Sequence, residues 1–153
     1  MARLQTSLVV GAPPSAVWRE LADLASHVEW MADAASITFV DDQRQGVGTR
    51  FDCVTRLGPL RTVDRMEVTR WEDGRAMAVR HVGLVRGEGV FTVVPNGSDD
   101  AATRIDWTED LRFPWWLGGP VGGLLARPVL RAVWRGNLRR FAARVTAAPA
   151  PGD

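Results

Sequence analysis

The sequence predicts an α+β fold in which a curved antiparallel sheet wraps around a long C-terminal helix. Three observations predict it. An amphipathic helix lies near the start, a run of alternating strands fills the middle, and a second, longer amphipathic helix closes the chain. The middle holds too many strands for one helix to cover as a flat layer. A sheet curved around the last helix leaves a hole between them, and a hole lined by apolar side chains is a binding site.

Leu4 to Val10 reads as the first strand, ended by Gly11, Pro13 and Pro14. Proline is tolerated in a first helical turn, so a helix begins at Pro14 or Ser15. Val17, Trp18, Leu21, Leu24 and Val28 make its apolar stripe, with a break near Ser26 and a short continuation through Trp30. Ser36 to Val40 is the second strand. Thr49 to Leu57 puts Phe51, Cys53, Thr55 and Leu57 on one face, and Gly58-Pro59 turns the chain. Leu60 to Trp71 puts Leu60, Thr62, Asp64, Met66 and Val68 together. After the Asp73-Gly74 turn signal, Met77, Val79 and His81 share a face. Gly87 to Val94 is the next strand, with Asn96-Gly97 beginning its turn. Thr103 to Phe113 has the clearest alternation in the chain. Ile105, Trp107, Glu109, Leu111 and Phe113 face one way, and Arg104, Asp106, Thr108, Asp110 and Arg112 the other. A Pro114-Trp115-Trp116 loop leads to the final helix, from Pro120 to Val145. Its apolar arc is Leu130, Val133, Trp134, Asn137, Leu138, Phe141 and Val145, and Pro128 should kink it. Residues 1–146 form one domain, and 147–153 read as a disordered tail.

The 153 residues suit a single core. A net charge of +1 gives no reason to expect nucleic acid as a partner. All basic residues other than histidine are arginine, and there is no tyrosine. A lysine Schiff base and a tyrosine acid or oxyanion donor are therefore excluded. One cysteine, Cys53, makes no internal disulfide, and two histidines are few for a metal centre; neither a metal nor a cofactor is expected. No signal peptide precedes the first strand, and no apolar run reaches about 18 residues. A cytoplasmic protein, monomer or homodimer, is the expectation.

The motifs in order are Ala12-Pro13-Pro14-Ser15-Ala16-Val17-Trp18 with Leu21, Asp23 and Trp30, and then Gly46-Val47-Gly48-Thr49. Phe91 follows, ahead of Pro95-Asn96-Gly97, and Thr103-Arg104-Ile105 leads to Trp107 and Glu109. On these the chain resembles the SRPBCC superfamily (START-like, helix-grip fold), in its polyketide cyclase/dehydrase and lipid-transport branch, over about residues 3 to 146. The resemblance implies a seven-stranded antiparallel sheet gripping the C-terminal helix, with two short helices after strand one. It also implies a hydrophobic ligand, such as a lipid, polyketide or quinone-like compound, held between sheet and helix. Members include carriers and aromatase/cyclases, so the fold implies a cavity and not a reaction.

Strand parity predicts the cavity wall: Phe51, Cys53, Met66, Val68, Met77, Val79, Trp107 and Leu111 from the sheet, and Leu130, Trp134 and Phe141 from the helix. The plain alternative is that these fill a solid core. The polar residues at inward positions are Asp64, His81, Glu109 and Asn137. Buried charge must be paired, so Glu109 is expected to meet His81 or an inward arginine. These residues make a polar end for a hydroxyl, carbonyl or carboxylate, or a structural network. If the protein is an enzyme, a cyclase or dehydratase, His81 and Glu109 are its proton-transfer pair. Aromatase/cyclases of the superfamily use pocket arginine and tyrosine. Here tyrosine is lacking, Thr69 stands where such an arginine would sit, and Arg65 or Arg80 would have to enter from a neighbouring register. Trp115 and Trp116 form a lid over the mouth, a foot that dips transiently into a membrane, or a cap on the sheet end. Arg131, Arg135 and Arg139 read as a solvated face.

Overall fold

The computed structural model describes residues 2–147. Strand β1 (Ala2–Val10) ends at Gly11, and helix α1 (Pro14–Ala22) starts on a proline whose missing N–H would have had no helical partner. A 3-10 turn (Leu24–Ser26) joins it to the short helix α2 (His27–Trp30). Strands β2 (Ala34–Phe39), β3 (Arg50–Leu57), β4 (Leu60–Glu72), β5 (Ala76–Val82), β6 (Arg86–Asn96) and β7 (Asp99–Arg112) follow. A second 3-10 turn (Trp115–Leu117) precedes α3 (Gly119–Ala147), which contains Pro128. Of the expected tail, Ala147 closes α3 and residues 148–153 lie outside the described residues.

Among the described residues, seven strands form one antiparallel sheet in the order β1-β7-β6-β5-β4-β3-β2. Strands β2 to β7 are joined as neighbours, while β1 crosses over to pair with β7. Helix α3 packs on β1 and β7 and touches α1 and α2. This is the helix-grip architecture, with α1 and α2 inserted after β1.

The sheet does not curve smoothly. Register shifts interrupt β2 between Ala34 and Ser36 and β4 between Val68 and Arg70. A bulge bends a strand and changes which parity faces inward. After the shift in β4, Arg70 lies opposite Ala78 and Trp71 opposite Met77. Trp71 thereby meets Trp18 of α1 edge-to-face, with ring centroids 5.4 Å apart.

The packed end of the core is aromatic. Trp30 lies 5.0 Å from Phe141, 4.9 Å from His27, and 6.3 Å from both Phe91 and Trp107, centroid to centroid. Trp107 in turn stacks on Phe91 at 4.8 Å and tilts against Trp134 of α3 at 5.2 Å. This cluster ties α2, the sheet and α3 at one end. The other end of the interface is left open.

Candidate functional site

A cavity of about 170 Å³ lies between the sheet and α3. Strand alternation supplies most of its wall. Phe51 and Cys53 come from β3, Asp64 and Met66 from β4, Val79 and His81 from β5, and Trp107, Glu109 and Leu111 from β7, with Leu130 and Trp134 from α3. Leu60 is the exposed member of the wall, and half-buried Leu57, Val85, Phe113 and Leu130 also line it, marking where the space meets the surface.

Three of the expected wall residues and one of the expected polar residues are not part of the lining. Val68, Met77 and Phe141 are fully buried in the solid core behind it. Asn137 is also fully buried but does not reach the polar end. Its Oδ1 accepts the Ala32 N–H (2.9 Å) and an Arg140 N–H, and its Nδ2 donates to Asp33 (2.8 Å). It pins the approach to β2 onto α3, which is a sufficient reason for an amide in an apolar arc. Trp115 and Trp116 are exposed and outside the lining. Among the described residues no arginine lines the cavity: Arg65 turns out to Asp52 and Arg80 to Glu67.

The polar end is compact. His81 Nε2 lies 3.3 Å from Glu109 Oε2. The other carboxylate oxygen, Oε1, accepts the Trp107 indole N–H at 2.9 Å. Asp64 accepts from the Leu84 N–H (3.1 Å) and the Thr62 hydroxyl (3.0 Å). Two glycines make room for these carboxylates. A Cβ on Gly89 would stand 2.4 Å from Glu109 Oε1, and one on Gly83 would stand 2.3 Å from Asp64 Oδ1. Glu109 Oε2 is buried and, despite its nearness to His81, has no well-directed hydrogen bond among the described residues. It is an acceptor with unused capacity in an apolar wall.

The electrostatics follow from burial and neighbours. Burial pulls the His81 imidazolium down, but the contact with Glu109, its charge and that of Asp64 outweigh this, and the pKa is raised. The Cys53 thiol is pushed up to about 11, chiefly by burial, and is no nucleophile at neutral pH.

Periodicity missed His27, which also lines the cavity. The 3-10 turn at Leu24–Ser26 advances the chain by three residues per turn. It therefore presents His27 inward in place of Val28. His27 Nε2–H donates to the Leu21 carbonyl at 2.8 Å, and burial holds its pKa down at about 4. A histidine kept neutral in the fold but free to protonate when unfolded weakens the fold in acid. Stability from this group is present above about pH 6.5 and is lost as pH falls toward 4, by roughly 3 kcal/mol in total. The melting temperature should drop through that window, and His27→Gln should flatten the slope while keeping a donor for Leu21. An equally steep decline in the variant would assign the acid sensitivity elsewhere.

The family model described as polyketide cyclase / dehydrase and lipid transport matches residues 1–148. No curated protein sequence matches the chain. Among solved structures, a protein from Thermus thermophilus is similar at 22% identity and a TM-score of 0.75, covering 97% of this chain and 99% of that one. A START superfamily protein from Mycobacterium smegmatis has 12% identity and a TM-score of 0.79, over 95% and 98% of the two chains. The Zhui aromatase/cyclase from Streptomyces sp. R1128 has 17% identity and a TM-score of 0.71, over 94% and 93%. At these identities the likeness is one of fold. No helix among the described residues is long and apolar enough to cross a membrane.

Proposed function

The chain belongs to the polyketide cyclase/dehydrase and lipid transport family, and from that premise we propose that it binds a hydrophobic small molecule carrying a hydroxyl group. The observation that carries this reading is Glu109 Oε2, a buried carboxylate oxygen with unused acceptor capacity in a mostly apolar wall. An O–H donor satisfies it. A ligand carboxylate would not, because it supplies no donor and would stand beside two acidic side chains, Asp64 and Glu109. Affinity comes from enclosing apolar surface, and the polar end sets orientation. The enclosed space is comparable to an engineered cavity of about 150 Å³ that takes benzene. It accommodates one ring or the head of a chain, with any remainder passing out beside Leu60.

Native mass spectrometry of protein isolated from its own host, followed by solvent extraction, tests this. The expected result is a bound hydrophobic compound, of lipid, polyketide or quinol type, with a free hydroxyl. Protein that arrives bare and binds no added hydrophobic alcohol contradicts it.

A second reading is favoured by the 3.3 Å His81–Glu109 contact inside the cavity. On this reading the pair moves a proton to or from a substrate hydroxyl, as a dehydratase or cyclase requires. Under this reading His81→Ala abolishes turnover and leaves binding nearly intact.

A further inference from the structure

The last inward-facing residue of the cavity rim before α3 is Phe113, and the chain then turns outward. Trp115 is 86% exposed and Trp116 55% exposed. Their turn is built rather than loose. The Leu117 and Gly119 N–H groups both donate to the Pro114 carbonyl, and Gly118, at φ +90°, accepts from Gly122 N–H through its carbonyl. A Cβ on Gly118 would stand 2.8 Å from Gly122 Cα, so the turn is seated directly on the first turn of α3.

That helix continues the apolar surface. Val121, Leu124, Leu125 and Val129 are all more than half exposed. Their spacing puts them on one stripe, opposite the side that carries Leu130 and Trp134 to the cavity. With the two tryptophans they make six large exposed apolar side chains within residues 115–129, a concentration that a soluble surface rarely carries. Further along α3 the same outward side changes character, to the exposed Arg135 and Arg139, while half-buried Arg127 and Arg131 lie nearer the packed side. The helix holds six arginines and no acidic residue, whereas the whole chain is only +1, so the rest of the protein is net acidic. Arg144 is paired with Glu20, and Arg140 is bound to Trp30 and Asn137. Among the described residues the other four have no acidic partner within 4 Å.

We propose that Trp115, Trp116 and the outward face of α3 dock on the surface of an anionic lipid bilayer. Tryptophan settles at the boundary between headgroups and chains, and an apolar helical face sinks about 5–10 Å below the headgroups. Arginine beside such a face meets lipid phosphates, each contributing about 1 kcal/mol at an anionic surface. A protein partner would also cover an apolar patch, but it gives no reason for Arg135 and Arg139 to continue the same face without acidic partners. The charge complementarity selects the bilayer. The patch follows Phe113 of the cavity rim directly in sequence. The surface is distinct from the cavity, and its test does not depend on what the cavity binds.

Flotation with vesicles of phosphatidylcholine alone, and with about one third phosphatidylglycerol added, tests the proposal. The protein should float with the anionic vesicles, less so as salt is raised, and not with the neutral ones. Trp115→Ala/Trp116→Ala and Arg135→Glu/Arg139→Glu should each cut partitioning by about tenfold or more. Both pairs are exposed, so melting temperature and cavity binding should stay as in the wild type. Absence of flotation, or flotation undiminished in both variants, overturns the proposal. So does a wild-type dimer in solution that the tryptophan variant dissolves, because the patch would then be a contact between two copies.

Discussion

Trp30→Ala is expected to destabilise the fold by about 3–5 kcal/mol. Trp30 is 1% exposed and is the point where α2, β6, β7 and α3 meet, through His27, Phe91, Trp107 and Phe141. Truncation removes a large transfer term, opens a void and loosens several edge-to-face contacts at once. Against a total stability of about 5–15 kcal/mol for a domain, that loss leaves little. A companion change separates packing from polarity. The Trp30 indole N–H is buried without a partner among the described residues. Trp30→Phe therefore sacrifices no hydrogen bond and should cost less than half as much as Trp30→Ala. Chemical denaturation of the two variants measures both. Equal losses would mean the indole N–H has a partner not seen in this arrangement.

Glu109→Gln is expected to change which ligands the cavity accepts. In the wild type a hydrophobic alcohol should bind more tightly than the acid of the same skeleton, by about ten- to a hundredfold. Hydrogen bonds to a charged group are worth about 1.5–3 kcal/mol, and a ligand carboxylate meets repulsion instead. Neutralising position 109 should narrow or invert that preference at little cost in shape. The same change acts on His81. With Glu109 gone, burial outweighs the remaining attraction, and the pKa of His81 should fall from its raised value. For the wild type the linkage has a fixed sign. The His81–Glu109 contribution to stability is complete below the unfolded-state value of about 6.5 and is lost as pH rises through the higher folded value. This is the opposite direction to His27, so the two histidines define the two flanks of the stability profile. Calorimetric titration with the alcohol and acid, alongside NMR titration of the histidine ring protons, reads all of these effects. An unchanged preference in Glu109→Gln would remove Glu109 from ligand recognition.

The sheet was legible in the sequence wherever one strand face is dry and the other wet. The clearest case is β7, where Ile105, Trp107, Glu109 and Leu111 all point inward as their alternation requires. The same parity put Asp64 and Glu109 inside despite their charge, and brought His81 to Glu109. Alternation reports a face, however, and not a depth. Val68, Met77 and Phe141 are on the correct face but lie in the solid part of the core, where the β4 bulge and the Trp30 cluster leave no space. Asn137 looked like a ligand contact because a polar residue in an apolar arc demands a partner. The partner is the backbone and side chain of residues 32 and 33, which no periodicity can bring to α3. His27 was hidden by the 3-10 turn, which changes the helical phase by less than one residue per turn and so reassigns the inward position. The exposed apolar side of α3 was illegible for a simpler reason. Apolar residues occupy both sides of its first turns, so the stripe belonging to the core cannot be distinguished from the one facing outward.

Whether the space between the sheet and α3 receives a hydrophobic ligand is tested most directly by plugging the cavity. Val79 is buried in the cavity wall. Val79→Trp should grow into open space and cost little stability, whereas overfilling a solid core costs about 1–3 kcal/mol. Fluorescence titration with the neutral probe N-phenyl-1-naphthylamine should give saturable one-to-one binding to the wild type and none to Val79→Trp at similar stability. A wild type that does not bind the probe, or a Val79→Trp variant that binds it equally well, would contradict the account.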